Sequence, residues 1–394
     1  MNINEITGGV HYVGVNDRTT DLFEGLWIVP LGVSYNAYVV LGTERTALID
    51  TVDAAHAAEL EAKVQGVLRG RALDYIIVNH VEQDHSSALP HIHLCHPQAA
   101  IVGNAKTAAM LTGYYGLQEV TTVADGDTID LGGKTLQFHL TPMLHWPETM
   151  MTRCVEDKVL FSGDAFGCFG ALNGAVVDRD MNTGMYWNEM YRYYGSIVAK
   201  YGVPVKNALK KLEGVELDYI CSTHGPVWHD ELSRVVATYA ALADWQAQPG
   251  VVIAYASMHG NVTLMAEHIA SELASNGVKN VLLQDLNVSN LSYVLMNIGR
   301  FNGLVIGGNT YNTEIHPRVA QLLGTLKMDG IQHRTVGLFG NYTWSPGVTK
   351  KMAAALEGLK IDLLDPVEFK QAPATSDLEA ASNLARELAA RVLA

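Results

Sequence analysis

The sequence predicts an α/β protein in two domains, residues 1–248 and 249–394, and three observations carry that reading. After residue 250, five strand-like runs alternate with five helical patterns, as in a doubly wound parallel sheet. Before it, short apolar runs end repeatedly in His, Asp or Glu. The charge divides at the same place. Residues 251–394 hold 11 Lys/Arg and 12 Asp/Glu, while residues 1–250 hold 16 and 29, with 11 of the 15 histidines. Nearly all of the net −14 therefore belongs to the first part.

In the first part the strand-like runs are Leu26–Pro30, Tyr38–Leu41, Thr46–Asp50, Tyr75–Val78, Ala100–Val102, Val159–Ser162 and Leu217–Cys221. Helical patterns cover Ala54–Leu68 and Leu232–Trp245. The stretch Trp245–Gly250 ends in Pro-Gly and reads as a linker or sharp turn. The second part then runs strand to helix five times. Val251–Ala256 precedes Val262–Ser275, and Val281–Asp285 precedes Tyr293–Gly299. Gly303–Gly307 precedes Pro317–Met328, and Arg334–Phe339 precedes Gly347–Gly358. Ile361–Leu364 precedes Ser376–Leu393. Such sheets bind ligands outside the carboxyl ends of their strands.

Composition narrows the function. Of the 394 residues 48% are hydrophobic and 17% charged, enough for full cores. Lys plus Arg number 27 against 41 Asp plus Glu, which argues against nucleic-acid binding and a polybasic membrane anchor. No signal sequence and no apolar run of about 18 residues is present, so a cytoplasmic protein is expected. Cys95, Cys154, Cys168 and Cys221 form no CxxC pair, which suits a reducing compartment.

Metal-ligand chemistry concentrates after Tyr75–Val78, in Asn79-His80-Val81-Glu82-Gln83-Asp84-His85. In an extended chain alternate residues face one way, so His80, Glu82 and Asp84 converge and His85 points away unless the chain turns. His145, Asp164 and His224 each follow an apolar strand pattern, the first of them Phe138–Leu144. Loops at one rim can gather all six. His91, His93 and His96, near Cys95, look like a metal motif but are expected in a helix-and-turn segment with structural roles. The cysteines are expected to be small buried hydrophobes, with Cys168 nearest to Asp164.

The second part offers a phosphate site. Ser257-Met258-His259-Gly260-Asn261-Val262-Thr263 joins the first strand to its helix, where backbone N–H groups and hydroxyls favour an anion. Two later strand ends add Asn309, Thr310, Tyr311 and Asn312, then Gly340, Asn341, Tyr342, Thr343 and Trp344. A large ring system would stack among Tyr311, Tyr342 and Trp344. No GxGxxG follows the strand, so a dinucleotide site is not supported.

The first part resembles the metallo-β-lactamase fold, an αββα sandwich whose hydrolases carry His-x-His-x-Asp-His. Here Glu82 replaces the second histidine, and mixed imidazole and carboxylate ligands favour iron or manganese. The second part resembles flavodoxin and its three loops for flavin mononucleotide (FMN), with Val262 where that family has a threonine. Together the halves resemble the flavodiiron proteins, or A-type flavoproteins. The resemblance implies a non-haem diiron centre. One iron would take His80, Glu82 and His145. The other would take Asp84 and His224, with His85 variable, and Asp164 would bridge.

It further implies reduction of dioxygen to water, of nitric oxide to nitrous oxide, or of both. It implies a head-to-tail homodimer or dimer of dimers, and an external donor: rubredoxin, a flavin reductase or a reduced deazaflavin. No rubredoxin-type cysteine pairs are present to serve as an internal donor. The alternatives are a di-zinc hydrolase of the metallo-β-lactamase fold, disfavoured by Glu82 and the flavin half, and a non-catalytic flavin electron carrier.

Overall fold

The computed structural model describes residues 4–394. These residues divide into two compact units, one of residues 4–194 and 201–240, the other of residues 195–200 and 241–394.

The first unit holds two large sheets. One orders Asn4–Thr7, Val10–Tyr12, Tyr38–Leu41, Thr46–Ile49, Tyr75–Ile77, Ala100–Gly103 and Val120–Thr122. The other orders Thr128–Asp130, Thr135–Leu140, Met150–Cys154, Val159–Gly163 and Tyr219–Ser222. Thr46–Ile49, Tyr75–Ile77 and Ala100–Gly103 pair in parallel, as do Val159–Gly163 and Tyr219–Ser222. Their carboxyl ends therefore lead directly into the His80, Asp164 and His224 segments.

Buried polar side chains tie the two sheets together at that rim. Asp50 Oδ1 accepts from the Asn79 N–H at 2.7 Å, and Oδ2 accepts from Asn79 Nδ2 at 2.9 Å. Across the gap, Thr152 Oγ1 donates to Asn79 Oδ1 at 2.7 Å, and Met150 N–H donates to the Asn79 carbonyl at 3.0 Å. Asn36 Nδ2 donates to the Ser222 and Gly225 carbonyls.

Some expected elements change. Only Trp27–Ile28 of Leu26–Pro30 is strand, paired with Leu22–Phe23 in a hairpin. The strand before His145 ends at Leu140, and a turn intervenes. Ala54–Leu68 begins as a 3₁₀ turn, Ala54–His56, because Asp53 accepts from the Ala55 N–H there. His91 and His93 lie on the helix Leu89–Cys95, and His96 bonds Glu61 at 3.1 Å.

In the second unit the sheet orders Val281–Asp285, Gln248–Ala256, Phe301–Tyr311, Gln332–Tyr342 and Lys360–Leu363, all parallel. This is the doubly wound flavodoxin-like order. Pro249 and Gly250 begin the first strand instead of forming a linker. Helix Asn261–Ser275 buries Val262, Met265, Ala266, Ile269 and Leu273, a stripe of helical period. It packs with Leu384, Leu388 and Val392 of helix Thr375–Leu393 on the strand residues Val251, Ile253 and Val305. Gly307 is required by close approach: a Cβ there would lie 2.0 Å from Phe339 Cζ.

Arg334 is 1% exposed and has only carbonyls as hydrogen-bond acceptors. Nε and Nη2 donate to Ile298 and Gly299 at the end of helix Leu291–Arg300, and Nη1 donates to Trp245 at 2.7 Å. It thereby satisfies helix-end carbonyls that would otherwise be buried without donors. Arg334→Ala should destabilise the second unit by about 3 kcal/mol, measured by urea unfolding.

Candidate metal centre and cofactor crevice

The segment after Ile77 does not stay extended. Glu82 caps a short helical turn, Gln83–Ser86, which swings both Asp84 and His85 inward. His85 therefore joins the cluster, against the expectation from alternation. Two groups of ligand-type side chains result: His80, Glu82, His145 and Asp164, and Asp84, His85 and His224.

Asp164 stands between them. Its Oδ2 faces His145 Nε2 at 2.9 Å and His80 Nε2 at 3.4 Å. Its Oδ1 faces His85 Nε2 at 3.0 Å and His224 Nε2 at 3.6 Å. Glu82 presents Oε2 to both His80, at 3.2 Å, and His145, at 3.0 Å. Asp84 Oδ2 lies 3.2 Å from His85 Nε2 and 3.3 Å from His224 Nε2.

The far sides of two imidazoles are occupied. His80 Nδ1 meets Glu148 Oε1 at 2.8 Å, and His224 Nδ1 meets the Ser34 carbonyl at 2.7 Å. Each ring is thus turned so that Nε2 points into the cluster, as ligating histidines are held. Thr223 Oγ1 donates to Asp164 Oδ1 at 2.5 Å.

These groups are buried at a cost that their neighbours offset. Burial opposes charge on His85 and His145, but nearby carboxylates push both up to about 9. For His80, too, burial is outweighed by its bonds to Glu148 and Glu82. Burial would raise Glu82 and Asp164, yet the surrounding imidazoles hold both well below the usual carboxylate range. Glu24 is different: desolvation and the adjacent Glu82 charge push it up to about 7.

The donor set fits metal ions. Both Asp84 oxygens, both His85 ring nitrogens and His224 Nε2 are buried without a hydrogen-bond partner. Polar atoms buried this way normally find partners. Of these, His85 Nε2, His224 Nε2 and Asp84 Oδ2 converge tip to tip, as ligands do around a shared cation.

Ser34, Glu148, Thr223 and Glu24 escaped the sequence reading. Glu148 follows His145 by three residues, so proximity to that candidate ligand was its one available signal. Glu24 sits in a turn with no flanking pattern. Cys168 is buried and its thiol is pushed well up by burial, as for an inert core cysteine.

At the carboxyl ends of the second unit's sheet lies a crevice of about 290 Å³. It is lined by Ser257, Met258, His259, Asn261, Val262, Asn309, Thr310, Asn341, Tyr342, Thr343, Trp344 and Ser345. Gly260, Thr263, Tyr311, Asn312 and Gly340 are not in its lining, and Ser345 is an addition. Strand Phe301–Tyr311 runs on through Asn309 and Thr310, so these present themselves from an extended chain, not a loop. Ser257 Oγ accepts from the Gly260 and Thr263 N–H groups at 3.1 and 3.4 Å. Val262 turns its side chain into the core at 1% exposure. Asn309 Oδ1 is buried without a partner, and Trp344 is 81% exposed. Polar atoms at a helix N-terminus beside exposed aromatics fit a phosphorylated planar ring.

Residues 33–225 match the family model described as ODP family beta lactamase, and residues 253–384 match flavodoxin. The chain is 32% identical to the rubredoxin-oxygen oxidoreductase of Megalodesulfovibrio gigas, over 99% of this chain and 98% of that one. It is 32% identical to the nitric oxide reductase of Moorella thermoacetica, over 98% of each. The solved flavodiiron protein from Giardia intestinalis superposes with a TM-score of 0.95 at 27% identity, covering 100% of this chain and 97% of that one. With its lactamase-like and flavodoxin parts in that order along its whole length, the chain belongs to the flavodiiron proteins.

Proposed function

We propose that this chain reduces dioxygen to water, nitric oxide to nitrous oxide, or both, with domains at 1–248 for the metals and 249–394 for FMN. The observation that carries the reading is the pair of ligand groups sharing Asp164, each oxygen of which faces a different group. The relatives named for oxygen and nitric oxide reduction support it.

His80, Glu82 and His145 would hold one iron, and Asp84, His85 and His224 the other, with Asp164 bridging. FMN and two ferrous ions, when bound, supply the electrons that reduce a diatomic. The protein's part is to hold, orient and insulate. Glu148 and Ser34 fix the rings of His80 and His224, so their Nε2 atoms need not reorganise on loading. Asp164 sets the spacing of the two halves because one carboxylate spans both. In the second unit, the Ser257 loop and Asn309 would bind the phosphate and ribityl side, and Trp344 and Tyr342 would cover the ring.

Among the described residues no helix is long and apolar enough to cross a membrane. A cytoplasmic head-to-tail homodimer fits this reading, with electrons entering from a separate rubredoxin, flavin reductase or reduced deazaflavin.

Asp164→Ala and His145→Ala should abolish turnover of both gases while FMN stays bound. Steady-state assays with each gas and one artificial donor check this, and full turnover in either variant would refute the assignment. Trp344→Ala should weaken flavin or shift its potential with iron content unchanged, read by flavin titration and metal analysis.

Metal loading should depend on pH with a definite sign. Below about 9 the imidazoles of His85 and His145 hold protons that a metal must displace. Ferrous-ion affinity should therefore fall as pH drops from about 9, measured with a competing chelator under anaerobic conditions. A flat profile would count against these histidines as ligands.

A further inference from the structure

The loop that carries Trp344 leaves strand Gln332–Tyr342 and enters helix Val348–Ala355. Strand Val367–Lys370 runs parallel beside its first end, pairing Gly340 with Glu368 and Tyr342 with Lys370. There the Gln371 N–H donates to the Tyr342 carbonyl at 2.8 Å, and Asn341 Nδ2 donates to the Gln371 carbonyl at 2.7 Å. In the middle of the loop, Thr310 Oγ1 donates to the Ser345 carbonyl at 3.0 Å. At the far end the Glu368 carboxylate takes over. The Gly347 N–H donates to Oε2 at 2.9 Å and to Oε1 at 3.0 Å, and Oε1 also accepts from the Thr349 N–H at 3.2 Å. Gly347 turns into the helix at φ 100°, in the region that favours glycine. Gly340 leaves room beneath: a Cβ there would lie 2.5 Å from Val348 Cγ1 and 3.5 Å from Glu368 Oε1.

We propose that Glu368 is a positioning residue for the flavin, fixing the Trp344 loop in its ring-covering conformation before FMN arrives. The proposal rests on reading the crevice as the FMN site. Helix Val348–Ala355 begins at Gly347, which has no side chain to cap it. Glu368 brings from another strand the oxygens that a capping residue normally supplies. The N-terminus of this helix is thereby filled by the protein's own carboxylate and closed to the flavin phosphate, which is left the Ser257 loop. Trp344 stands three residues upstream of Gly347 and is largely exposed, so packing does little to hold it. Its placement depends on how its loop is fastened. An indole set in place beforehand needs little ordering on binding, so the clamp raises affinity. An indole held over the ring also meets oxidised and reduced flavin unequally, so the clamp sets the potential as well.

FMN titration and flavin redox titration of the full-length protein, with amide hydrogen exchange of its flavin-free form, test this. Glu368→Ala should speed exchange at Gly347 and Thr349, weaken FMN about tenfold and shift the flavin midpoint potential. Glu368→Gln keeps an acceptor oxygen in the place of Oε1 and should stay near wild type in all three measurements. In a Trp344→Ala background, Glu368→Ala should change affinity and potential no further, because its effect passes through Trp344. Wild-type affinity and potential in Glu368→Ala would overturn the proposal, as would a Glu368→Gln protein that behaves like Glu368→Ala. An equal loss of affinity in both backgrounds would also overturn it, since that marks a general loosening of the unit. A wild-type chain that takes up no FMN would instead overturn the flavin reading, and this proposal with it, whatever the exchange rate at Gly347.

Discussion

Asn79 is the clamp on which the first unit depends. Its side chain accepts from Thr152 of one sheet and donates to Asp50 of the other, while its backbone does the same with Met150 and Asp50. All of these groups are buried, so none has water as a substitute partner. The clamp sits one residue before His80. The ends of two sheets, and the segments that leave them, are therefore held in fixed register where the ligand-type side chains begin.

That rigidity matters because the cluster crowds like against like. Two histidines and a carboxylate lie on each side of Asp164. The neighbouring carboxylates raise the imidazoles of His80, His85 and His145 against the effect of burial. Only three carboxylates of the first part, Glu82, Asp84 and Asp164, share this crowding. The acidic residues on its surface are ordinary solvated groups, whereas these few are held where only a cation or a proton can answer them.

Much of this could be read from residue order. The alternation of the second unit is nearly complete in the sequence, because parallel strands buried on both faces are continuous apolar runs. The ligand-type residues were legible because each follows a strand and carries chemistry that a core would not tolerate unpaired. Less legible was anything set by a turn. His85 depends on the single helical turn after Glu82, and Tyr311 and Asn312 leave the crevice because a strand continues past its expected end. Glu148 and Ser34 hold His80 and His224 from distant positions, and nothing local marks them. Glu24 owes its place to a left-handed hairpin that no apolar pattern announces.

The serine at the start of the loop before helix Asn261–Ser275 has one more consequence. Ser257 already closes that loop on itself by accepting from the Gly260 and Thr263 N–H groups. A loop folded in advance loses little freedom when a ligand arrives, so the ordering penalty is met by the protein's own folding. On the proposed reading of this crevice, flavin would leave and return without the loop having to melt and re-form. The second unit would behave as a rigid socket, and a chain stripped of its flavin would remain a competent receptor for it.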